Sequence, residues 1–171
     1  VVKQSVEKLR GKMDIESRPG KGTTFITRFP LTLAIIDGMM VKVGEEIYII
    51  PTMAIRRTLR PSRDQYNLVV NKGETINVMG QLLSLVRLSD VFGGKSAREN
   101  PWEAIVVVVE GENRSKCLLV DEVIGKAEVV IKSLGSGLKH IRGVSGGAIL
   151  GDGRVGLILD PEGLFELSEG K

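Results

Sequence analysis

Aromatic side chains are scarce: Phe, Tyr and Trp make up 4% of the 171 residues. A surface that stacks successive bases of single-stranded nucleic acid needs several of them, so an RNA-binding barrel is disfavoured. Charge of one sign is lacking too. Lys and Arg (24) nearly balance Asp and Glu (21), for a formal net charge of +3, and no concentrated basic face for a polyanion is expected. The densest basic group, Arg56, Arg57, Arg60 and Arg63, reads as a solvated edge. Cys117 is the single cysteine, so no disulfide can close within the chain, and a reducing cytoplasm is the expected compartment. His140 is the single histidine. It sits in a polar stretch with no neighbouring carboxylate to orient its ring, which argues against a phosphoacceptor role. One His and one Cys at no recognisable spacing give no metal site. No apolar run nears the roughly 18–20 residues that cross a bilayer as a helix, and direct membrane insertion is not expected. The longest run, Ala104 to Val109, has the length of a strand.

What is present is Val, Ile, Leu and glycine. Apolar residues reach 42% and Gly numbers 21, a composition suited to half-buried strands joined by tight turns. Residues 1–10 place Val2, Val6 and Leu9 at helical spacing, with Gly11 as a stop. Met13 and Ile15 then alternate with Asp14 and Glu16, Pro19 to Gly22 makes a turn, and 25–29 alternates again. Residues 1–30 therefore read helix, strand, turn, strand, the two strands antiparallel. So small a piece cannot bury a core. It is expected to be the end of a domain whose remainder lies upstream, and the chain to be a cut piece.

From Leu33 the pattern is all strand. The first set spans 33–43, 46–51, 55–59, 74–78 and 81–88, then a short helical turn ends in Phe92. A polar connector, Gly93 to Pro101, leads to a second set: 104–110, 115–120, 125–132, 147–150 and 154–160, then a helical turn ending in Phe165. Gly80 to Phe92 and Gly153 to Phe165 share one order of turn glycine, apolar strand and helical turn, with the same interval from Gly to Phe, the mark of an internal repeat. Closure removes sheet edges, so each set is expected to form a small five-stranded barrel, about 33–93 and about 102–166.

Chemistry-bearing motifs are few. Gly20-Lys-Gly-Thr23 and Gly93-Gly-Lys-Ser96 lack the spacing of a phosphate-wrapping P-loop. Asp152, Arg154 and Asp160 read as turn chemistry, since nothing brings them to a common cleft. No catalytic residue is expected. Val120, Val123, Ile141, Val144, Ile149 and Leu150 are apolar and close to turns, and they are the candidates for contact with a protein partner.

The segment Gly20-Lys-Gly-Thr-Thr-Phe25, followed by Phe29-Pro-Leu-Thr-Leu-Ala-Ile-Ile-Asp-Gly38, is similar to the kinase-to-regulatory junction of the bacterial chemotaxis histidine kinases, the CheA family. Ile49-Ile-Pro51 resembles part of that family's first barrel, and Gly143 to Asp160 its last hairpin. The resemblance covers essentially the whole chain. It implies a mainly β fold: two SH3-like five-stranded barrels of the CheW-like type over 31–171, preceded by a helix–hairpin remnant of an α/β ATP-binding kinase domain at 1–30. It implies docking to the adaptor CheW and to the chemoreceptor tip, and coupling of receptor state to ATP-dependent histidine autophosphorylation. ATP and Mg²⁺ would serve the parent kinase, a homodimer through a domain upstream. Gly20, Gly22, Thr23 and Thr24 would be what remains of the nucleotide site, one threonine lying near the adenine. The fragment itself would be inactive. Two alternatives stand beside this: a stand-alone CheW-type adaptor, and a small nucleotide-binding enzyme using Gly20 to Thr24. Pro30 would stiffen the junction at 28–33 and let barrel motion reach the kinase domain.

Overall fold

The structure, a computed structural model, describes residues 12–28, 35–131 and 141–169. The chain divides into two compact units, 1–33 and 34–171. In the first, β1 (Lys12–Arg18) and β2 (Gly22–Arg28) form an antiparallel hairpin with Ile15 directly opposite Phe25. The predicted alternation of Met13 to Ser17 lies in β1. Asp14 and Arg28 form an ion pair across the strands. Ile15 and Phe25 are exposed, so the hairpin shows an apolar face and holds no core of its own. The helix expected over 1–10 and the junction at Pro30 lie outside the described residues.

The described residues of the second unit form eleven strands in two sheets, with two short α-helices. The strands are β3 (Ile35–Val43), β4 (Glu46–Pro51), β5 (Ile55–Leu59), β6 (Tyr66–Val69), β7 (Gly73–Val78), β8 (Gln81–Arg87), β9 (Ile105–Glu110), β10 (Ser115–Val120), β11 (Glu122–Val130), β12 (Val144–Ile149) and β13 (Val155–Leu159). The helices are α1 (Leu88–Phe92) and α2 (Pro161–Glu169). Sheet one runs β5-β9-β10-β8-β7-β6, and sheet two runs β11-β3-β4-β13-β12.

That order corrects the expected division of the chain. Strands of 33–93 do not pair among themselves to make one sheet, nor do those of 102–166. The hairpin β3–β4 joins β11, β12 and β13, whereas the hairpin β9–β10 joins β5, β7 and β8. The two exchanges are equivalent. β4 pairs in parallel with β13, β10 pairs in parallel with β8, and every other ladder is antiparallel. The repeat seen in the sequence is thus present, but each copy's hairpin sits in the other copy's sheet. Pairing partners of a strand are a tertiary property, and hydrophobic period does not encode them.

Three apolar layers follow from this arrangement. Val106, Val108, Cys117 and Leu119 face one side of sheet one with Ile76 and Leu83. Val107, Val109, Leu118 and Val120 face the other, where they meet Val41, Tyr48 and Ile50 of sheet two together with Leu164 and Phe165 of α2. The unbroken apolar run at 104–109 is what burial on both faces requires. Ile49, Val129, Ala148 and Ile158 fill the far side of sheet two. Burial pushes the Cys117 thiol up to about 12, so it packs as a small hydrophobe.

Two elements differ from the sequence reading. β6 was not expected. It is four residues long, and its Tyr66 hydroxyl donates to Glu74 at 2.8 Å while the ring meets Trp102 edge-on. α2 runs on to Glu169, one turn past the expected end at Phe165. Among the described residues no helix is long and apolar enough to cross a membrane.

Sheet two is tightest at Ile49, which is fully buried between two glycines. A methyl at Gly38 would overlap Ile49 Cγ2, and one at Gly156 would lie 2.8 Å from Ile49 Cδ1. Gly38→Ala and Gly156→Ala are each expected to lower stability by about 1–3 kcal/mol in urea unfolding, through overpacking. Adding Ile49→Val, which deletes Cδ1 and keeps Cγ2, should recover part of the loss for Gly156→Ala and little for Gly38→Ala.

Candidate functional site

The six apolar residues expected to meet a partner are scattered by the fold. Val120 is 1% exposed and lies in the core between the sheets. It offers no surface, because the end of β10 is covered where the chain crosses to β11. Val123 is half-buried against the same core, and Leu150 against the inner core of sheet two. Ile141 and Val144 are half-buried at the start of β12. Only Ile149 of the six presents most of its side chain, at 57% exposure.

Its neighbour was missed. Val155 stands directly opposite Ile149 on β13 and is 58% exposed. Within the strand it alternates with Gly156 and Ile158 and shares a face with Leu157 and Leu159, which pack into the core between the sheets. The pair therefore continues that core's apolar face beyond the point where it is covered. The turn beyond it is polar. Asp152 accepts from the Arg154 backbone at 3.0 Å and from its Nε at 2.7 Å, and the Arg154 guanidinium holds the Asp152 carboxyl below its ordinary value. Among the described residues β12 is a terminal strand of sheet two, so the apolar pair lies beside a strand edge that shares no ladder there. That combination suits a protein partner, by added contact area or by sheet extension. A second exposed cross-strand pair, Ile35 and Val130, lies where β3 meets β11.

Residues singled out for other reasons take structural roles. Gly20 and Gly22 have φ of +75° and +104° at the β1–β2 turn, a requirement of the turn itself. Thr23 and Thr24 are exposed on β2, and the Thr23 hydroxyl lies 3.0 Å from that of Ser17. Arg56 pairs with Glu110, and Arg63 lies over the Trp102 ring. Asp160 accepts from the Gly163 N–H at 3.3 Å as a helix cap. His140 lies outside the described residues.

A site with little sign in the local sequence is the crossing at Asp121, between β10 of sheet one and β11 of sheet two. Its carboxylate accepts from the backbone N–H of Gly44 (2.6 Å), Ala97 (2.9 Å) and Arg98 (3.0 Å), and from the Ser96 hydroxyl (2.6 Å). Its own N–H donates to the Lys42 carbonyl at 2.9 Å. One side chain thus ties the β3–β4 turn, the 93–98 connector and the crossing strand. These groups line a cleft of about 540 Å³ with Tyr48, Lys95 and Glu122. Desolvation acts to raise the Asp121 carboxyl, but the four donors outweigh it and hold the group below its ordinary 3.8. A carboxyl lowered by folding contributes stability in full above its unfolded value and loses it as pH falls through the lowered one. Asp121→Asn should cost about 1–3 kcal/mol in urea unfolding at pH 7 and speed proteolysis at 93–98. The gap to wild type should narrow as pH falls below 3.8.

Comparison with known proteins places this architecture. The family model for the CheW-like domain matches residues 37–169. Over the whole chain there is 40% identity to the chemotaxis protein CheA of Klebsiella aerogenes, of which the match covers 26%. The sensor histidine kinase CheAY of Helicobacter pylori is 40% identical over 99% of the chain and 21% of its own length. The chain spans about a quarter of the length of these relatives. Among solved structures, the scaffolding protein TtCheW of Thermoanaerobacter tengcongensis superposes with a TM-score of 0.60 at 17% identity, covering 80% of this chain and 96% of that one. The chain belongs to the CheW-like domain family, and along its full length it matches the region of CheA that carries such a domain.

Proposed function

We propose that the unit at 34–171 is the regulatory docking module of a chemotaxis histidine kinase. Its two sheets act as SH3-like barrels that bind the adaptor CheW and the chemoreceptor tip. The observation that carries the reading is the exposed Ile149–Val155 pair on a terminal strand, in a chain 40% identical throughout to a CheA. The pair supplies apolar area, and the open side of β12 supplies backbone groups for a further strand.

The parent protein on this reading is a cytoplasmic ATP-dependent protein-histidine kinase, homodimeric through a domain upstream. ATP and Mg²⁺ bind in that kinase's own domain, to which the hairpin with Gly20, Gly22, Thr23 and Thr24 belongs. The module performs no chemistry. It passes receptor state to the kinase domain through the junction at Pro30. A second reading, a CheW-type adaptor working on its own, is favoured by the shared fold with TtCheW. The two differ in whether kinase sequence precedes the chain in its gene.

Purified CheW titrated into this chain should bind, and Ile149→Glu or Val155→Glu should weaken binding at least tenfold with the circular dichroism spectrum unchanged. Each substitution places a charge where apolar area would be covered. Absence of association at high micromolar concentration would overturn the reading. So would heat of binding on titration with Mg-ATP, which would favour a nucleotide enzyme instead.

A further inference from the structure

α2 leaves one sheet and fastens to the other. It begins at Pro161, one residue after β13 of sheet two, and buries Leu164 and Phe165 in the shared core. Its last turn then meets the start of β10 in sheet one. Lys116 there is 6% exposed, a rare position for an ammonium group. It donates to Ser168 Oγ at 2.8 Å, to Glu169 at 2.8 Å and, at 3.4 Å, to the Phe165 carbonyl. All three partners belong to the last turn of α2. Arg114, just before β10, pairs with Glu162 at 2.8 Å and with Glu169 at 2.5 Å. Both cations also lie over the Phe165 ring, at 5.5 and 5.8 Å from its centre.

A buried charge is tolerated only while it is paired. Lys116 is therefore satisfied when the turn is docked and stranded when the turn frays. Among the described residues the helix end is otherwise held by the half-buried Leu167, beside Gly143. Ser168 and Glu169 are not in the apolar core, and a cleft of about 470 Å³, lined by Asn71, Lys72 and Ser84 as well as these groups, opens beside them. Terminal helical turns with exposed surface open locally at far lower free energy than the fold as a whole.

We propose that the last turn of α2 is a latch that opens and closes independently of global unfolding, with Lys116 as its catch. The latch stands apart from the docking surface at Ile149. It is a property of the fold and holds whether or not CheW binds there.

Hydrogen exchange of the 171-residue chain, read by mass spectrometry, tests it. Glu169→Gln should raise exchange of the amides at 164–169 about tenfold and leave those of β9 and β10 unchanged. Lys116→Met, which keeps the length of the side chain and removes the charge, should remove the Lys116 share of the turn's dependence on Glu169 and leave the Arg114–Glu169 pair. Adding Glu169→Gln to Lys116→Met should then change exchange about threefold rather than tenfold, since only Arg114 still pairs with Glu169. Three outcomes would overturn the proposal: no change at 164–169 in Glu169→Gln, a rise shared equally by β9 and β10, or multiplying effects of the two substitutions.

Discussion

Exchange of hairpins between the two halves of the chain is the constraint on which the rest of the structure depends. β4 finds its parallel partner in β13, and β10 finds its own in β8. Each sheet therefore takes strands from both sides of the 93–100 connector. The central strands are apolar on both faces, so one layer of side chains fills each sheet's outer side and another the space between the sheets. Each fully buried Val or Ile in these layers contributes about 1.5–3 kcal/mol, and the hairpin β9–β10 serves two layers at once. Loss of one exchanged hairpin would strip both.

The two crossings between sheets differ in chemistry. At one, the carboxylate of Asp121 gathers backbone donors from two loops distant in sequence. At the other, residues 52–54 carry Met53, almost wholly exposed, on a single 3-10 turn. Sheet one has its own polar tie. Glu74 and Arg87 are joined by two bonds of 2.7 and 2.8 Å, and the Arg87 guanidinium, with the Tyr66 hydroxyl, keeps the Glu74 carboxyl low against the desolvation that opposes it.

Much of this is legible in the sequence. Most strands are, because alternation and turn glycines mark them, and so is the repeat ending at Phe92 and Phe165. The relation of the strands to one another is not. A parallel pairing such as Leu157 with Tyr48 joins residues more than a hundred positions apart, and no local pattern signals it. The same limit explains Val120 and Val155. Both are valines near strand ends, and only the crossing that covers one and the open hairpin that bares the other tell them apart. Asp121 looked like any acidic residue after a strand, since its partners at 44 and 96–98 come from elsewhere in the chain.

The topology has a consequence for how such a chain could arise. Each repeat, a hairpin followed by three or four strands and a helix, has its hairpin in the other repeat's sheet. Two separate copies could satisfy each other only by trading hairpins, which is the arrangement of a domain-swapped dimer. In this protein the 93–100 connector makes that exchange intramolecular. It turns a concentration-dependent encounter into one governed by tether length, and the monomer inherits an interface that would otherwise have needed a twin.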